Sequence, residues 1–348
     1  MTPPAGKGST RQAASRKTAT ASGIAGQTVL ITGGTGSFGN RVASHLSALG
    51  PRRIRIFSRD EKKQWEMQQR LPDFEYIIGD VRDPERLRSA LRGVDLVFHA
   101  AALKQVPSCE AYPYEAFQTN TVGSHNVCEA ALRAGVRTVV ALSTDKAVKP
   151  VNAMGMSKAM MEKIVCSRNQ VPLDTRFCCV RYGNVMGSRG SVIPLFRKQI
   201  EAGGPITMTV GHMTRFLMTL DESVDLVVHA MSHATGGEIF VRKAPAATIA
   251  DLARALIAKY GGGANVPIRT VGIRPGEKID EVLVNEYELQ RAEETDEYFT
   301  IHPEYRVPAG TARHAVGTEY TSANTQRLTS SKEIGALLDR VGLVEYYI

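Results

Sequence analysis

The stretch "TVLITGGTGSFGNRVASHL" (residues 28–46) decides the fold. A short apolar run leads into small residues, and an amphipathic segment follows at once. Gly33, Gly36 and Gly39 stand at a GxxGxxG spacing. With a strand before it and a helix after it, such a loop brings its backbone against a pyrophosphate, whose charge rests at the helix N-terminus. Thr35, Ser37 and Phe38 lie in the same loop and complete the expected dinucleotide cradle.

Outward from this loop the same rhythm repeats. "RIRIF" (53–57), "FEYII" (74–78), "DLVFHA" (95–100), "RTVVALS" (137–143) and "TRFCCVRYG" (175–183) read as strands. Near-continuous apolar runs of this kind suit strands covered on both faces of a parallel sheet. Phe38–Leu49, Pro84–Leu91, Tyr114–Ala134 and Ala153–Asn169 read as the intervening helices. The fold class is therefore α/β, a Rossmann-type doubly wound parallel sheet. Residues 27–184 are expected to form the dinucleotide-binding domain, with later segments returning to it. From residue 185 Gly/Pro-punctuated loops take over, followed by "GEIFV" (237–241), a helix near 248–259 and "IRTVGI" (268–273). Residues 185–348 are expected mainly as a smaller C-terminal substrate-binding lobe over the strand ends.

Composition narrows the function classes. The 348 residues are 43% hydrophobic and 22% charged, as in ordinary globular chains. No run approaches the ~20 apolar residues of a membrane helix, so a soluble chain is expected. Five scattered cysteines without a CxxC pair point to reduced thiols and the cytoplasm. The histidines, among them His99, His125 and His212, have no metal-ligand spacing, and no metal is expected. The net charge of +8 suggests nucleic acid, but Lys7, Arg11, Arg16 and Lys17 in an acid-free tail supply half of it. Residues 1–26, rich in small and polar side chains, are expected to be a disordered basic tail. No nucleic-acid partner is expected.

Strand ends choose the cofactor. The second strand closes on Ser58 and Arg59, where an NAD enzyme typically carries an acidic residue. A guanidinium pairs well with a phosphate, so NADP is favoured over NAD. Asp80 and Val81, after the third strand, are suited to the adenine; Ala100, Ala101 and Ala102, after the fourth, to the sugar and pyrophosphate.

Ten further motifs occur in chain order: "TGGTGSFG", "SRDE", "GDVRD", "FHAAALKQVP", "TNTVGSHNV", "LSTDKAVKP", "RYGNVMGSRGSVIP", "MTRFLMTLDE", "GEIFV" and "GIRPGEK". Together they resemble the UDP-N-acetylglucosamine 4,6-dehydratases of the extended short-chain dehydrogenase/reductase superfamily. The resemblance spans roughly residues 27–285 and returns at 320–338. It implies NADP, a UDP-N-acetylhexosamine substrate and a homo-oligomer. It also implies C4 oxidation, loss of water across C5 and C6, and return of the hydride to C6. By position, Thr144 would bond the 4-oxygen, Asp145 would protonate the departing 6-hydroxyl and Lys146 would be the C5 base. Lys158 would bond the nicotinamide ribose. Lys104, Asn184, Ser191, Val192, Arg215, Arg274 and Glu277 would line the nucleotide-sugar side.

One position departs from the commoner pattern. Members of the soluble, inverting branch carry Tyr-xxx-Lys; "NAMGMSK" places Met154 four residues before Lys158, as in the membrane-anchored, retaining branch. A thioether has no proton to give, so Met154 cannot act as acid or base. Asp145, or a water held by Thr144 and Lys158, is then expected to take the 4-hydroxyl proton while Met154 packs on the sugar or nicotinamide. A UDP-sugar epimerase, a 5,6-dehydratase and a non-catalytic NADP-binding homologue remain open alternatives.

Overall fold

The computed structural model describes residues 23–188, 190–311 and 314–341. Residues 1–22 of the expected tail lie outside the described residues. Ile24, counted with that tail, is buried in the core beside Leu46 and Ile54.

The strands are β1 (Thr28–Thr32), β2 (Arg53–Ser58), β3 (Glu75–Ile78), β4 (Leu96–His99), β5 (Thr138–Thr144), β6 (Arg176–Tyr182), β7 (Asn184–Val185), β8 (Ile206–Met208), β9 (Thr214–Met218), β10 (Ile239–Arg242), β11 (Ala246–Thr248), β12 (Ile268–Thr270), β13 (Val282–Val284), β14 (Ala292–Glu294), β15 (Tyr298–Ile301) and β16 (Tyr320–Thr321). A nine-stranded sheet runs β14-β15-β10-β6-β5-β4-β1-β2-β3. Its strands from β10 to β3 pair in parallel, and β15 and β14 close the edge antiparallel. The order reverses between β1 and β4, which opens the crevice where ligands bind in such sheets. The Rossmann-type α/β class expected from the sequence is thus the observed one.

Helices α1 (Ser37–Ser47), α2 (Glu61–Arg70), α3 (Pro84–Ala90), α4 (Val106–Ala111), α5 (Pro113–Ala116), α6 (Gly123–Arg133) and α7 (Ala153–Ser167) connect the first strands. Helices α8 (Val192–Glu201), α9 (Leu220–His233), α10 (Ile249–Tyr260), α11 (Glu286–Leu289) and α12 (Ser331–Val341) follow. Side-chain caps start many of them. Asp60 accepts from Lys63 N, Asp83 from Glu85 N and Arg86 N, and Asn152 from Gly155 N. Thr219 and Glu222 form a capping box at α9.

Four elements depart from the sequence expectation. Helix α2, "EKKQWEMQQR", was not expected because it lacks an apolar stripe; only Gln64 and Met67 are buried on it. The single helix expected over 114–134 is interrupted by a π-helical turn at Phe117–Val122. "GEIFV" enters the main sheet as β10 rather than standing apart. "IRTVGI" shrinks to the exposed β12, which pairs with β8.

The interaction that seats α7 on the sheet is ionic. Arg181 on β6, 1% exposed, donates to both oxygens of Glu162 on α7 and both oxygens of Glu288 on α11 at 2.6–2.9 Å. Its remaining donor reaches the Leu283 carbonyl at 2.8 Å. All its N–H groups are thereby used. Exposed ion pairs such as Lys62–Glu66 contribute about 0–1 kcal/mol, but stripping one partner from a buried set costs about 3–5 kcal/mol. Arg181→Met is expected to lower stability by about that larger amount in urea unfolding, because two buried carboxylates lose their cation. A loss below about 1 kcal/mol would mean the triad does not hold α7.

Candidate active site

The cradle at the crevice is made of backbone. Gly33 has φ +64°, and a Cβ placed on it would lie 2.8 Å from Ala101 Cα. A Cβ on Gly39 would lie 2.5 Å from Gly34 Cα, so α1 starts hard against the loop, with Gly36 as its N-cap. Ala100 N donates to Thr32 O at 3.1 Å and Ala101 N to Thr32 Oγ1 at 3.2 Å, joining the ends of β1 and β4. Half-buried Ala102 continues that wall. Half-buried Ser37 opens α1, and Phe38 stacks on Tyr182 at 5.7 Å, across the crevice mouth. Such a side-chain-free cradle fits a pyrophosphate.

The groups expected to select the cofactor lie at the ends of β2 and β3. Thr35 Oγ1 and Ser58 Oγ lie 2.8 Å apart. Arg59, with its side chain 54% exposed, sits 3.5 Å from Asp80, which Arg82 holds at 2.7 and 3.0 Å. Burial opposes the Asp80 carboxylate, yet the Arg82 hydrogen bonds and the two guanidinium charges pull its pKa below the ordinary value. Val81 follows directly. Its side chain is buried against α6, where a Cβ on Gly123 would approach it to 2.7 Å. Only its backbone is left to face an adenine.

The chemistry-bearing groups gather where β5 ends. Asp145 is completely buried in a short 3-10 turn. Thr144 Oγ1 donates to Asp145 Oδ1 at 2.7 Å, and Lys146 Nζ reaches the same oxygen at 3.0 Å. Asp145 Oδ2 has no hydrogen-bond partner among the described residues. Lys146 also lies 3.5 Å from Glu281, just before β13. Burial disfavours the Lys146 ammonium, but the Asp145 and Glu281 carboxylates outweigh it and raise its pKa. Tyr182, one strand over, has its phenol pushed up by burial and by the Asp145 charge, which makes it a poor base.

Helix α7 delivers Lys158 and Met154 to this turn. A Cβ on Gly155 would stand 2.2 Å from Lys146 O, so only glycine lets the helix sit so close. Lys158 is 6% exposed and donates to Leu142 O at 2.5 Å and to Met161 Sδ at 2.9 Å. Burial lowers its pKa to about 8. Met154 packs with Cys109 and Ala116 in a small apolar cluster that includes Leu103 and Val106. Its described contacts are thus with the protein interior, where the sequence reading expected a ligand surface.

The expected substrate residues fall into two groups. Asn184 Oδ1 and Ser191 Oγ are buried without partners among the described residues, and half-buried Val192 begins α8 behind Ser191. Exposed Lys104 adjoins Gln105, whose Nε2 would lie 2.6 Å from a Cβ on Gly190. Exposed Arg274 and half-buried Glu277 share one loop, with Arg274 N donating to Glu277 Oε2 at 3.4 Å. Asn152 Nδ2 pins that loop to α7 through Gly276 O at 2.9 Å. Arg215, expected on the nucleotide-sugar side, is turned to the protein instead. Its donors are committed to the carbonyls of Thr214, Lys278 and Ile279 at 2.7–3.1 Å, beside Glu281 at 3.8 Å.

Comparison with known proteins places this geometry. The profile of a family described as polysaccharide biosynthesis protein matches residues 29–303. The chain belongs to that family. A Rickettsia conorii relative named UDP-glucose 4-epimerase is 48% identical over 333 residues, covering 90% of this chain and 97% of the relative. The X-ray structure of Pen from Bacillus thuringiensis superposes with TM-score 0.83 at 37% identity, over 91% of this chain and 99% of Pen. DesIV from Streptomyces venezuelae, a dTDP-glucose 4,6-dehydratase, has TM-score 0.66 at 23% identity over 72% and 86% of the two chains. At that distance DesIV speaks to the fold alone, the Rossmann-type α/β sheet described above.

Glu281 and Lys278 are the members of the site that sequence reasoning missed. Lys278 Nζ donates to Val148 O, and burial lowers its pKa. "EKIDE" reads as a charged loop, and only the fold turns its last residue inward.

Lys158 yields a pH prediction. Its folded-state pKa of about 8 lies below the unfolded value of about 10.4, so the folded protein resists the charge. The cost is fully present below pH 8 and fades as pH rises toward the unfolded value. Lys158→Met is expected to be more stable than the wild type at pH 7, with the gap shrinking by pH 10. Thermal melts of both proteins across that range check it; a pH-independent gap contradicts it.

Proposed function

We propose that this chain is a cytoplasmic, NADP-dependent UDP-N-acetylglucosamine 4,6-dehydratase, a lyase forming a UDP-4-keto-6-deoxy-N-acetylhexosamine. The observation that carries the reading is the buried Asp145, with one oxygen unpartnered, in contact with Lys146. Dehydration needs an acid at the 6-oxygen and a base at C5 on one reaction face. Inversion at C4 needs only a group on the 4-oxygen, so an adjacent carboxyl and amine suit dehydration better.

NADP, when bound, supplies a reversible hydride acceptor; the cradle around Gly33 and Ala101 and the exposed Arg59 are the groups that would hold it. The chain's own residues then move protons. Asp145, oriented by Thr144, takes the proton of the 4-hydroxyl and later gives it to the departing 6-hydroxyl. That accounting is closed: the 4-hydroxyl proton ends in water, and no tyrosine is needed at 154. Lys146 removes the C5 proton, made acidic by the 4-ketone, and returns it to C5. Lys158 provides positive charge beside the 4-oxygen. Asn184, Ser191, Arg274, Glu277 and Lys104 are the proposed contacts for the nucleotide sugar. The exposed Tyr112, Tyr114, Met156 and Met160 support a homo-oligomer.

A second reading, a UDP-sugar 4-epimerase, is favoured by the name of the 48%-identical Rickettsia relative. The adjacent Asp145 and Lys146 weigh against it, since C4 inversion has less need of an acid and a base side by side. Incubation with UDP-N-acetylglucosamine, followed by NMR of the sugar, is expected to give a 4-keto-6-deoxy product. Asp145→Asn should reduce its formation at least about 10²-fold. A C4-epimerised sugar selects the second reading, and an exocyclic alkene means water is lost without hydride return. For the cofactor, Arg59→Ala should weaken NADP+ binding about 10-fold while leaving NAD+ binding nearly unchanged; tighter NAD+ binding by the wild type contradicts the NADP choice.

A further inference from the structure

Glu281 belongs to none of the roles above, yet it is 2% exposed and lies at the catalytic turn. It arrives from a distant part of the chain. Its backbone N–H donates to Ser322 Oγ at 2.8 Å, and Ser322 N returns a bond to its carbonyl at 2.8 Å. That pairing fixes the side chain toward Lys146, 3.5 Å from its ammonium. Glu281 Oε2, like Asp145 Oδ2, is buried with no hydrogen-bond partner among the described residues. Lys146 therefore stands between two carboxylates, each with one oxygen unspent.

We infer that Glu281 is a positioning residue that takes and returns the proton Lys146 must release to act as the C5 base. The inference rests on the dehydratase reading, in which Asp145 is occupied with the proton passing from the 4-oxygen to the 6-oxygen. Lys146 cannot abstract a proton as an ammonium, and Asp145 cannot relieve it while protonated. Glu281 can. The Lys146 ammonium passes one proton to Glu281, leaving an amine and a carboxylic acid. The amine takes the C5 proton; the C5–H electron pair forms the C5–C6 double bond as the C6–oxygen bond breaks, and Asp145 protonates the leaving hydroxide. After hydride return to C6, Lys146 gives its proton to C5, and Glu281 returns the stored proton to Lys146. No proton enters from or leaves to solvent in the Lys146–Glu281 exchange.

The surroundings suit this role. The groups acting on Glu281 are Asp145 and Lys146 on the turn after β5, Arg215 on β9 and Lys278 on its own loop. Burial and the Asp145 charge raise the Glu281 pKa, against the pull of the three cations, so its acid form is easier to reach than an ordinary carboxyl's. The same carboxylate raises the Lys146 pKa, so the resting lysine is charged and needs an acceptor.

Glu281→Gln and Glu281→Asp in the purified full chain test this. Dehydration by the wild type should vary little between pH 6.5 and 9. Glu281→Gln should be about 10²-fold slower at pH 7 and should recover as pH rises, because Lys146 must then lose its proton to solvent. Glu281→Asp, which keeps the acceptor, should retain a flat profile. Independently of turnover, the Lys146 side-chain signal in 15N-lysine NMR, assigned with Lys146→Met, should titrate about one unit lower in Glu281→Gln. A loss by the same factor at every pH with an unmoved Lys146 titration would overturn the inference. If the wild type forms no dehydrated sugar, the proposed function falls. The titration then judges Glu281 alone: a one-unit shift sustains the coupling to Lys146, and no shift overturns it.

Discussion

The Lys146 ammonium, held between the buried carboxylates of Asp145 and Glu281, is the contact on which the rest of the site depends. One carboxylate belongs to the turn after β5 and the other to a segment more than a hundred residues later. Neither would be tolerated in the interior alone, since an isolated buried charge is far more costly than a paired one. The cation therefore fixes where the later segments meet the strand ends. Arg215 and Lys278 extend the same balance, and Arg215 spends its hydrogen bonds on the loop that carries Glu277 and Glu281.

A second constraint is close approach. Gly33 admits the backbone of Ala101, and Gly155 admits the carbonyl of Lys146; a methyl group at either position would collide with main chain. These two contacts hold the glycine loop and the Thr144–Lys146 turn at the carboxyl ends of the neighbouring strands β1, β4 and β5. Arg181 then clamps α7 through Glu162, one turn after Lys158, which itself bonds the Leu142 carbonyl. A site built this way keeps its geometry through packing and leaves unspent hydrogen-bonding capacity on Asp145, Asn184 and Ser191, where a ligand can use it.

Much of this was legible in the sequence. The strand–glycine–helix stretch at 28–46 gave the sheet type, and the near-continuous apolar runs located β1 to β6 within a few residues. The adjacency of Thr144, Asp145 and Lys146 needed no fold to be seen. What stayed hidden depends on tertiary contact. That α6 covers the Val81 side chain could not be read from its place after Asp80. Arg215 looked like a free fork and proved to be spent on carbonyls. Helix α2 has too polar a surface for periodicity to reveal it. Glu281 reads as surface charge until the pairing with Ser322 turns it inward.

In the proposed reaction one hydride leaves C4 and reaches C6 of the same sugar while Asp145 and Lys146 manage the protons. UDP-N-acetylglucosamine carrying deuterium at C4, turned over by the full chain and read by 2H NMR, tests this most directly. Deuterium is expected in the C6 methyl group of a 4-keto product. Deuterium found again at C4, whether on an epimer or on an unsaturated sugar, would contradict it.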